Sequence, residues 1–285
     1  MIPQANITAW RSVAPWPDDA QVEQDLVLTR AVVELFTDQG LASTFALRGG
    51  TALNKLYVQP PSRYSEDIDL VQTRAAPAGV MLDAIRSKLD PWLGSPRRSR
   101  AEGGVTLLYS FESEIPPVRP LRLKIEINTR EHFTVLAFIR RTIAVQNPWF
   151  TGTVDVTTYE LDELMGTKLR ALYQRRKGRD LFDLWLCLEK KLIDPERVVT
   201  CFGKYMAHGN QQISRAQFER NLHEKQEHAA FQGDIQPLLA TGVAYDAETA
   251  MLVVRKELIE RLTGEPWRKP AEPRTDSDPR RTHQG

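Results

Sequence analysis

The chain has 285 residues, of which 41% are hydrophobic and 26% charged, with a formal net charge of +1. That length holds one large domain or two smaller ones, and the composition is that of an ordinary soluble globular protein. A balance this close to neutral excludes a global electrostatic pull on nucleic acid, so any such binding has to come from a local patch.

The two cysteines, Cys187 and Cys201, are too few for a disulfide framework or a zinc site, which fits a reducing compartment. The opening run MIPQANITAWRSVAPWPDD lacks a basic segment followed by an apolar one. No later stretch approaches the roughly 18 apolar residues of a membrane span. The expectation is a cytoplasmic protein with no membrane contact.

In chain order, Val22, Leu26, Ala31, Val32, Leu35 and Phe36 recur at near-helical spacing between Ala20 and Gly40, and Gly40 supplies a stop. FALRGG reads as a short buried strand ending in a glycine turn, TALNKLY as a helix, and QPPSRYS as its break. EDIDLVQ is the second strand, residues 78 to 93 are helical, and 105 to 111, 119 to 128 and 132 to 145 alternate as further strands. After Pro148 helical patterns dominate, over 160 to 174, 179 to 190, 195 to 207, 214 to 228 and 246 to 263. The proline- and charge-rich segment from Glu265 cannot offset its ordering entropy by burial and is expected to be disordered. The fold class is therefore α+β. A mixed-sheet core over 1 to 150 is followed by a helical bundle over 151 to 264 and a tail over 265 to 285.

Chemistry concentrates in a few places. In a strand, residues i and i+2 share a face roughly 6.6 Å apart along the chain, so Asp67 and Asp69 project together while Ile68 points away. Two such carboxylates repel unless they lie in solvent or share a counter-charge, and a hard divalent cation is one such charge. Upstream, Gly49 and Gly50 stand between a strand and a helix, where backbone N–H groups can meet a phosphate with no Cβ in the way, and Thr51 adds a hydroxyl. In PLRLKIEINT the alternation puts Lys124, Glu126 and Asn128 on one face, making Glu126 the candidate third acid.

Lys168 falls inside the apolar stripe Leu161, Leu164, Met165, Leu169 and Leu172. It either snorkels at the stripe's edge or projects into a cleft to neutralise a triphosphate. In QRRKGRDLFDLW, Arg175, Arg176, Lys177 and Arg179 form a basic cluster able to contact an RNA backbone, and Arg179 with Asp183 is spaced as an i,i+4 ion pair. The five histidines show no i,i+4 metal pairing.

With GGTALNK, RYSEDIDL, LKIEIN and LMGTKLRALYQRRKGRDLFDLW in this order, the chain resembles the AbiEii/AbiGii nucleotidyltransferase toxins, including the MenT toxins. The resemblance covers roughly residues 20 to 190. It implies a polymerase-β-like nucleotidyltransferase core with a helical C-terminal domain, and a toxin acting beside a cognate antitoxin. Its activity would transfer NMP from an NTP, a pyrimidine nucleotide being expected, to the 3′ acceptor end of tRNA or to other RNA, with Mg²⁺ as cofactor.

Carried over by position, the resemblance implies that Asp67 and Asp69 bind metal, and Glu126, placed by the strand alternation, is the expected third metal ligand. The residue reading and the resemblance together make Asp67, Asp69, Glu126, Lys168 and Asp180 the expected catalytic residues, and Gly49, Gly50, Thr51, Lys55, Arg63, Ser65 and Lys168 the expected nucleotide-binding ones. Modification of a protein hydroxyl or a small molecule, or non-catalytic nucleotide binding, remain the alternatives.

Overall fold

The computed structural model describes residues 2–101 and 103–268. Three helices open the chain: α1 (Gln4–Trp10), α2 (Asp19–Thr37) and α3 (Gln39–Thr44). The alternation of β1 (Phe45–Arg48) and α4 (Gly49–Leu56) with β2 (Asp67–Gln72) and α5 (Ala78–Leu93) follows. The strands β3 (Arg97–Ala101), β4 (Gly104–Glu112), β5 (Pro120–Asn128), β6 (Phe138–Asn147) and β7 (Phe150–Tyr159) then run consecutively. The rest is helical: α6 (Leu161–Gln174), α7 (Gly178–Glu189), α8 (Pro195–His208), α9 (Arg215–Gln226), α10 (Ala229–Gly233) and α11 (Ala247–Glu257).

All seven strands join one sheet in the order β3-β4-β5-β2-β1-β7-β6. β2 pairs with β5, and β1 with β7, in parallel; the remaining neighbours are antiparallel. The mixed sheet confirms the α+β reading. β5 carries the clearest alternation: Leu121, Leu123, Ile125 and Ile127 are buried, whereas Arg122 and Glu126 are exposed. The buried row joins Val105, Leu107 and Tyr109 of β4 in the core that also takes in Val22, Leu26 and Leu35 of α2 and Ile85 and Leu89 of α5. Each such side chain contributes about 1.5–3 kcal/mol by leaving water. A one-residue slip in β5 would turn its lysine and glutamate into that core.

Four features depart from expectation. β3, RRSRA, has no apolar residue but its last, Ala101, to announce it, and it pairs in register with β4 from Arg97↔Leu108 to Ala101↔Gly104. The sheet also continues through β7, so a boundary after residue 150 would cut the β6–β7 hairpin, and the helical part begins at Leu161. Residues 132–137 are a loop, not the start of a strand. Their Thr134 hydroxyl and the Val135 and Leu136 N–H groups donate at 2.7–2.8 Å to the fully buried Glu163 of α6. Of the tail expected to be disordered, residues 265–268 are described, and the Trp267 N–H donates to Glu219 of α9 at 2.7 Å. The remainder, 269–285, lies outside the described residues.

No described helix is long and apolar enough to cross a membrane.

Candidate active site

Where β1 ends, the chain turns into α4 through Gly49, whose φ of +75° lies in the left-handed region. A Cβ there would stand 2.0 Å from Asp69 Oδ2, so glycine is required both by the backbone and by the carboxylate resting on it. A Cβ on Gly50 would meet Arg63 Nη2 at 2.5 Å and Ser65 Oγ at 2.8 Å. α4 has no side-chain cap at its N-terminus. Its first N–H groups therefore remain as donors, at the positive end of the helix dipole, beside both aspartates.

β2 carries the acids. Antiparallel pairing sets Asp69 opposite Arg48, and parallel pairing sets Asp67 beside Lys124 and Asp69 beside Glu126. The expected convergence of Asp67, Asp69 and Glu126 on one sheet face is thus present in register. The three do not close on each other, because the Lys124 ammonium lies between two of them, 2.9 Å from Asp67 and 3.2 Å from Glu126. Among the described residues no group of three or more His, Cys, Asp or Glu side chains could by itself hold a metal ion.

Burial pushes the Asp67 carboxyl up to about 6, with Lys124 opposing and Asp69 and Glu66 adding to the rise. Burial also raises Asp69, where Arg48 opposes and Glu126 reinforces. For both carboxylates the nearby cations do not offset the cost of burial. Mg²⁺ usually keeps several waters and is held by one or two carboxylates plus substrate phosphates, so this aspartate pair is a sufficient donor set for it.

These groups line a cleft of ≈ 510 Å³ between the sheet and α6–α7, in which basic residues outnumber acidic ones. Gly49, Gly50, Ser65, Asp67, Asp69, Glu126, Lys168 and Arg63 all border it. The sheet side also supplies Arg48 and Lys124, and the helical side Arg170, Arg175, Lys177 and Arg179.

Four expected side chains take other partners. Lys55, near the far end of α4, donates to Asp25 at 2.6 Å and does not border the cleft. Asp25 also accepts from Trp10 and Trp16, so the lysine neutralises a buried acid of the N-terminal helices. Thr51 is buried, and its hydroxyl donates to the Asp67 carbonyl at 2.5 Å, tying α4 to β2. Arg63 is 1% exposed and grips Asp183 through Nε at 2.6 Å and Nη2 at 2.7 Å while Nη1 donates to the Tyr64 carbonyl. Asp183 consequently does not pair with Arg179, whose partners are Asp234 and Glu66.

Lys168 borders the cleft without being free in it. Its ammonium lies 2.8 Å from Asp183 and 3.3 Å from Asp180. Arg175 completes the cluster with two bonds to Asp180 at 2.7 and 2.9 Å. Burial works to raise the Asp180 carboxyl, but Lys168 and Arg175 overcome it and hold it below the usual range. Arg63 and Lys168 do the same for Asp183, which they hold at about 2 against its burial. The cluster fastens α6 and α7 to the segment leading into β2.

Sequence reasoning passed over a second network. Glu131 accepts from Arg48 at 2.8 Å and from Arg170 at 2.5 and 3.1 Å, linking the end of β1 to α6 across the cleft. Burial favours its neutral form, but the two guanidiniums bring it down to about 2. Nothing local marks this trio. Lys124, by contrast, was visible as the same-face neighbour of Glu126 two residues away.

The family model for the nucleotidyl transferase AbiEii toxin of Type IV toxin–antitoxin systems matches residues 30–252. Among solved structures, MenT4, a nucleotidyltransferase toxin of Mycobacterium tuberculosis, superposes with a TM-score of 0.56 at 16% identity, over 92% of this chain and 91% of that one. A crystal structure from H. pylori, assigned as a nucleotidyltransferase, gives 0.52 at 15% identity, over 84% and 93%. At these identities the structures establish the shared fold. Comparison with curated proteins finds no match. The chain belongs to the AbiEii family of nucleotidyltransferase toxins, and it is a nucleotidyltransferase of a toxin–antitoxin system.

Proposed function

We propose that this nucleotidyltransferase moves NMP from an NTP, a pyrimidine nucleotide first, onto the 3′-hydroxyl of an RNA acceptor, with the acceptor end of tRNA as target and Mg²⁺ as cofactor. Such a transfer would block aminoacylation and so translation in the cytoplasm, with a cognate antitoxin restraining it. The observation that carries the reading is the Asp67–Asp69 pair beside the uncapped N-terminus of α4 in a cleft rich in cations.

In the transfer, the acceptor oxygen forms a bond to the α-phosphorus while the bond to the bridging β-oxygen breaks and pyrophosphate departs. Reactions of this class run on positioning and charge neutralisation more than on covalent chemistry by the protein. Asp67 and Asp69 would hold the metal, which supplies Lewis-acid charge at the phosphates when bound. The N–H groups of Gly49 and Gly50 and the Ser65 hydroxyl would bind phosphate oxygens. Glu126, exposed beside Asp69 in register, is assigned the acceptance of the hydroxyl proton. Lys168 and Arg63 supply positive field to the β and γ phosphates, and Asp180 orients Lys168.

Incubation of the purified protein with tRNA, Mg²⁺ and each labelled NTP tests this. Label on the RNA 3′ end, with one or two nucleotides preferred, is expected. A folded protein that labels a protein or small molecule and never RNA would overturn the choice of acceptor.

A further inference from the structure

The basic cluster between α6 and α7 was the sequence's obvious candidate for an RNA contact, but its charges are largely spent inside the protein. Arg175 is bound to Asp180, Lys177 to Asp234, and Arg179 to Asp234 and Glu66. Arg176 of this run is exposed and has no ion-pair partner among the described residues, and further unspent charge lies on the sheet. Arg97 on β3 and Arg122 on β5 are exposed, and neither side chain has an ion-pair partner among the described residues.

Strand register decides which way these arginines face. Arg97 pairs with Leu108, Leu108 with Lys124, and Lys124 with Asp67, so all four share one sheet face. The parallel row runs Ser99, Thr106, Glu126, Asp69. Arg122 belongs to the same face, two residues before Lys124. The opposite face holds the buried Leu107, Ile125 and Ile127, and there Arg98 and Arg100 pair with Leu107 and Val105.

The face bearing the catalytic acids therefore continues outward across β5, β4 and β3 as a surface that is polar apart from the half-buried Leu108. At about 4.8 Å per strand it extends roughly 14 Å from Asp67 to Arg97. Arg122 stands about 7 Å along β5 from Lys124.

We propose that this open face is the track for the acceptor strand, with Arg97 and Arg122 binding its phosphodiester backbone as the 3′ end enters the cleft. The inference rests on the proposed RNA acceptor and specifies where that RNA lies. Two properties favour a nucleic acid as occupant. Apart from the exposed Glu112 at the end of β4, the free charge is positive and guanidinium-based, which suits phosphate, and the surface is continuous with the site where the 3′-hydroxyl must react. The rows across it, built from Ser99, Thr106, Leu108 and Ser110, hold no aromatic ring for base stacking. Contact here is thus with the backbone, salt-dependent and indifferent to sequence.

The test compares Arg97→Ala/Arg122→Ala with Arg98→Ala/Arg100→Ala, which removes the same net charge from the opposite face. RNA binding is measured as a function of salt, and NTP binding separately. In the first variant the slope of log K against log salt should become shallower by about 1.4, two single-strand phosphate contacts at about 0.7 each. RNA labelling should fall at limiting RNA, and NTP binding should stay at the wild-type value. The second variant should match wild type in all three. Equal effects of the two variants, or none from the first while the wild type still labels RNA, would overturn the track. Weakened binding of a protein partner with RNA binding intact would reassign the face and equally overturn it. A wild type that labels no RNA defeats the acceptor reading itself and, with it, the track.

Discussion

Replacing Asp183 with Asn tests the buried cluster that joins the two halves of the molecule. The carboxylate is fully buried and accepts from Arg63 at 2.6 and 2.7 Å, with Lys168 at 2.8 Å. Asparagine keeps the shape but turns an NH₂ group towards two cations. Lys168 retains Asp180 at 3.3 Å, whereas Arg63 retains only the Tyr64 carbonyl at 2.9 Å among the contacts seen here. Breaking a buried pair by removing one partner costs about 3–5 kcal/mol, most of it from the charge left uncompensated.

Against a total stability of about 5–15 kcal/mol this is a large fraction. At about 2–4 °C per kcal/mol, the melting temperature should fall by roughly 6–20 °C. Denaturant unfolding at pH 7 measures the loss. Glu224→Gln, which breaks the exposed Arg220–Glu224 pair, is the control and should cost no more than about 1 kcal/mol.

The pH dependence gives a second readout. Asp183 is held at about 2, below its unfolded value, so its contribution is present above about pH 4 and is lost as pH falls through 2. The gap between variant and wild type should narrow over that interval. A loss at pH 7 no larger than the control's would refute the reasoning.

The other predictions concern the cleft. Gly49→Ala forces a side chain into Asp69 at a positive φ, so turnover should drop by at least about a hundredfold, measured against an intact melting transition. Asp67 is raised to about 6, so its burial destabilises the protein above that pH and the penalty is relieved as pH falls towards the unfolded value near 4. Asp67→Asn should accordingly melt higher than wild type at pH 7.5 in the absence of metal while losing transfer activity. Divalent-ion affinity of the wild type, followed by calorimetry with Mn²⁺, should weaken as pH drops below about 6. Lys55→Gln should lower stability, because Asp25 loses its ammonium, yet leave the Michaelis constant for NTP unchanged.

Patterns that depend on near neighbours were legible in the sequence. The alternation of PLRLKIEIN fixed both the strand and the face carrying Glu126, and the acid pair with its glycine turn located the cleft. Partnerships across long chain separations were not legible. The i,i+4 spacing suggested Arg179 for Asp183, but burial brought in Arg63 from 120 positions away, and a buried carboxylate takes the partner that removes both from water. Thr51 and Lys55 were misread for a related reason. Of the eight residues of α4 only Gly49 and Gly50 border the cleft, and the polar side chains after them satisfy the interior. β3 escaped notice because an edge strand rich in arginine has no hydrophobic period. β7, FTGTVDVTTY, did carry a β-branched signal.

The central claim is that the two β2 aspartates beside the Gly49–Gly50 turn carry the transfer. The direct measurement is pyrophosphate release from NTP with Mg²⁺ and RNA by wild type, Asp67→Asn/Asp69→Asn and Lys55→Gln, each shown to be folded. The account predicts that the double variant loses at least about 10²–10³ in turnover while Lys55→Gln keeps wild-type rates. A folded double variant that turns over within tenfold of wild type would contradict it.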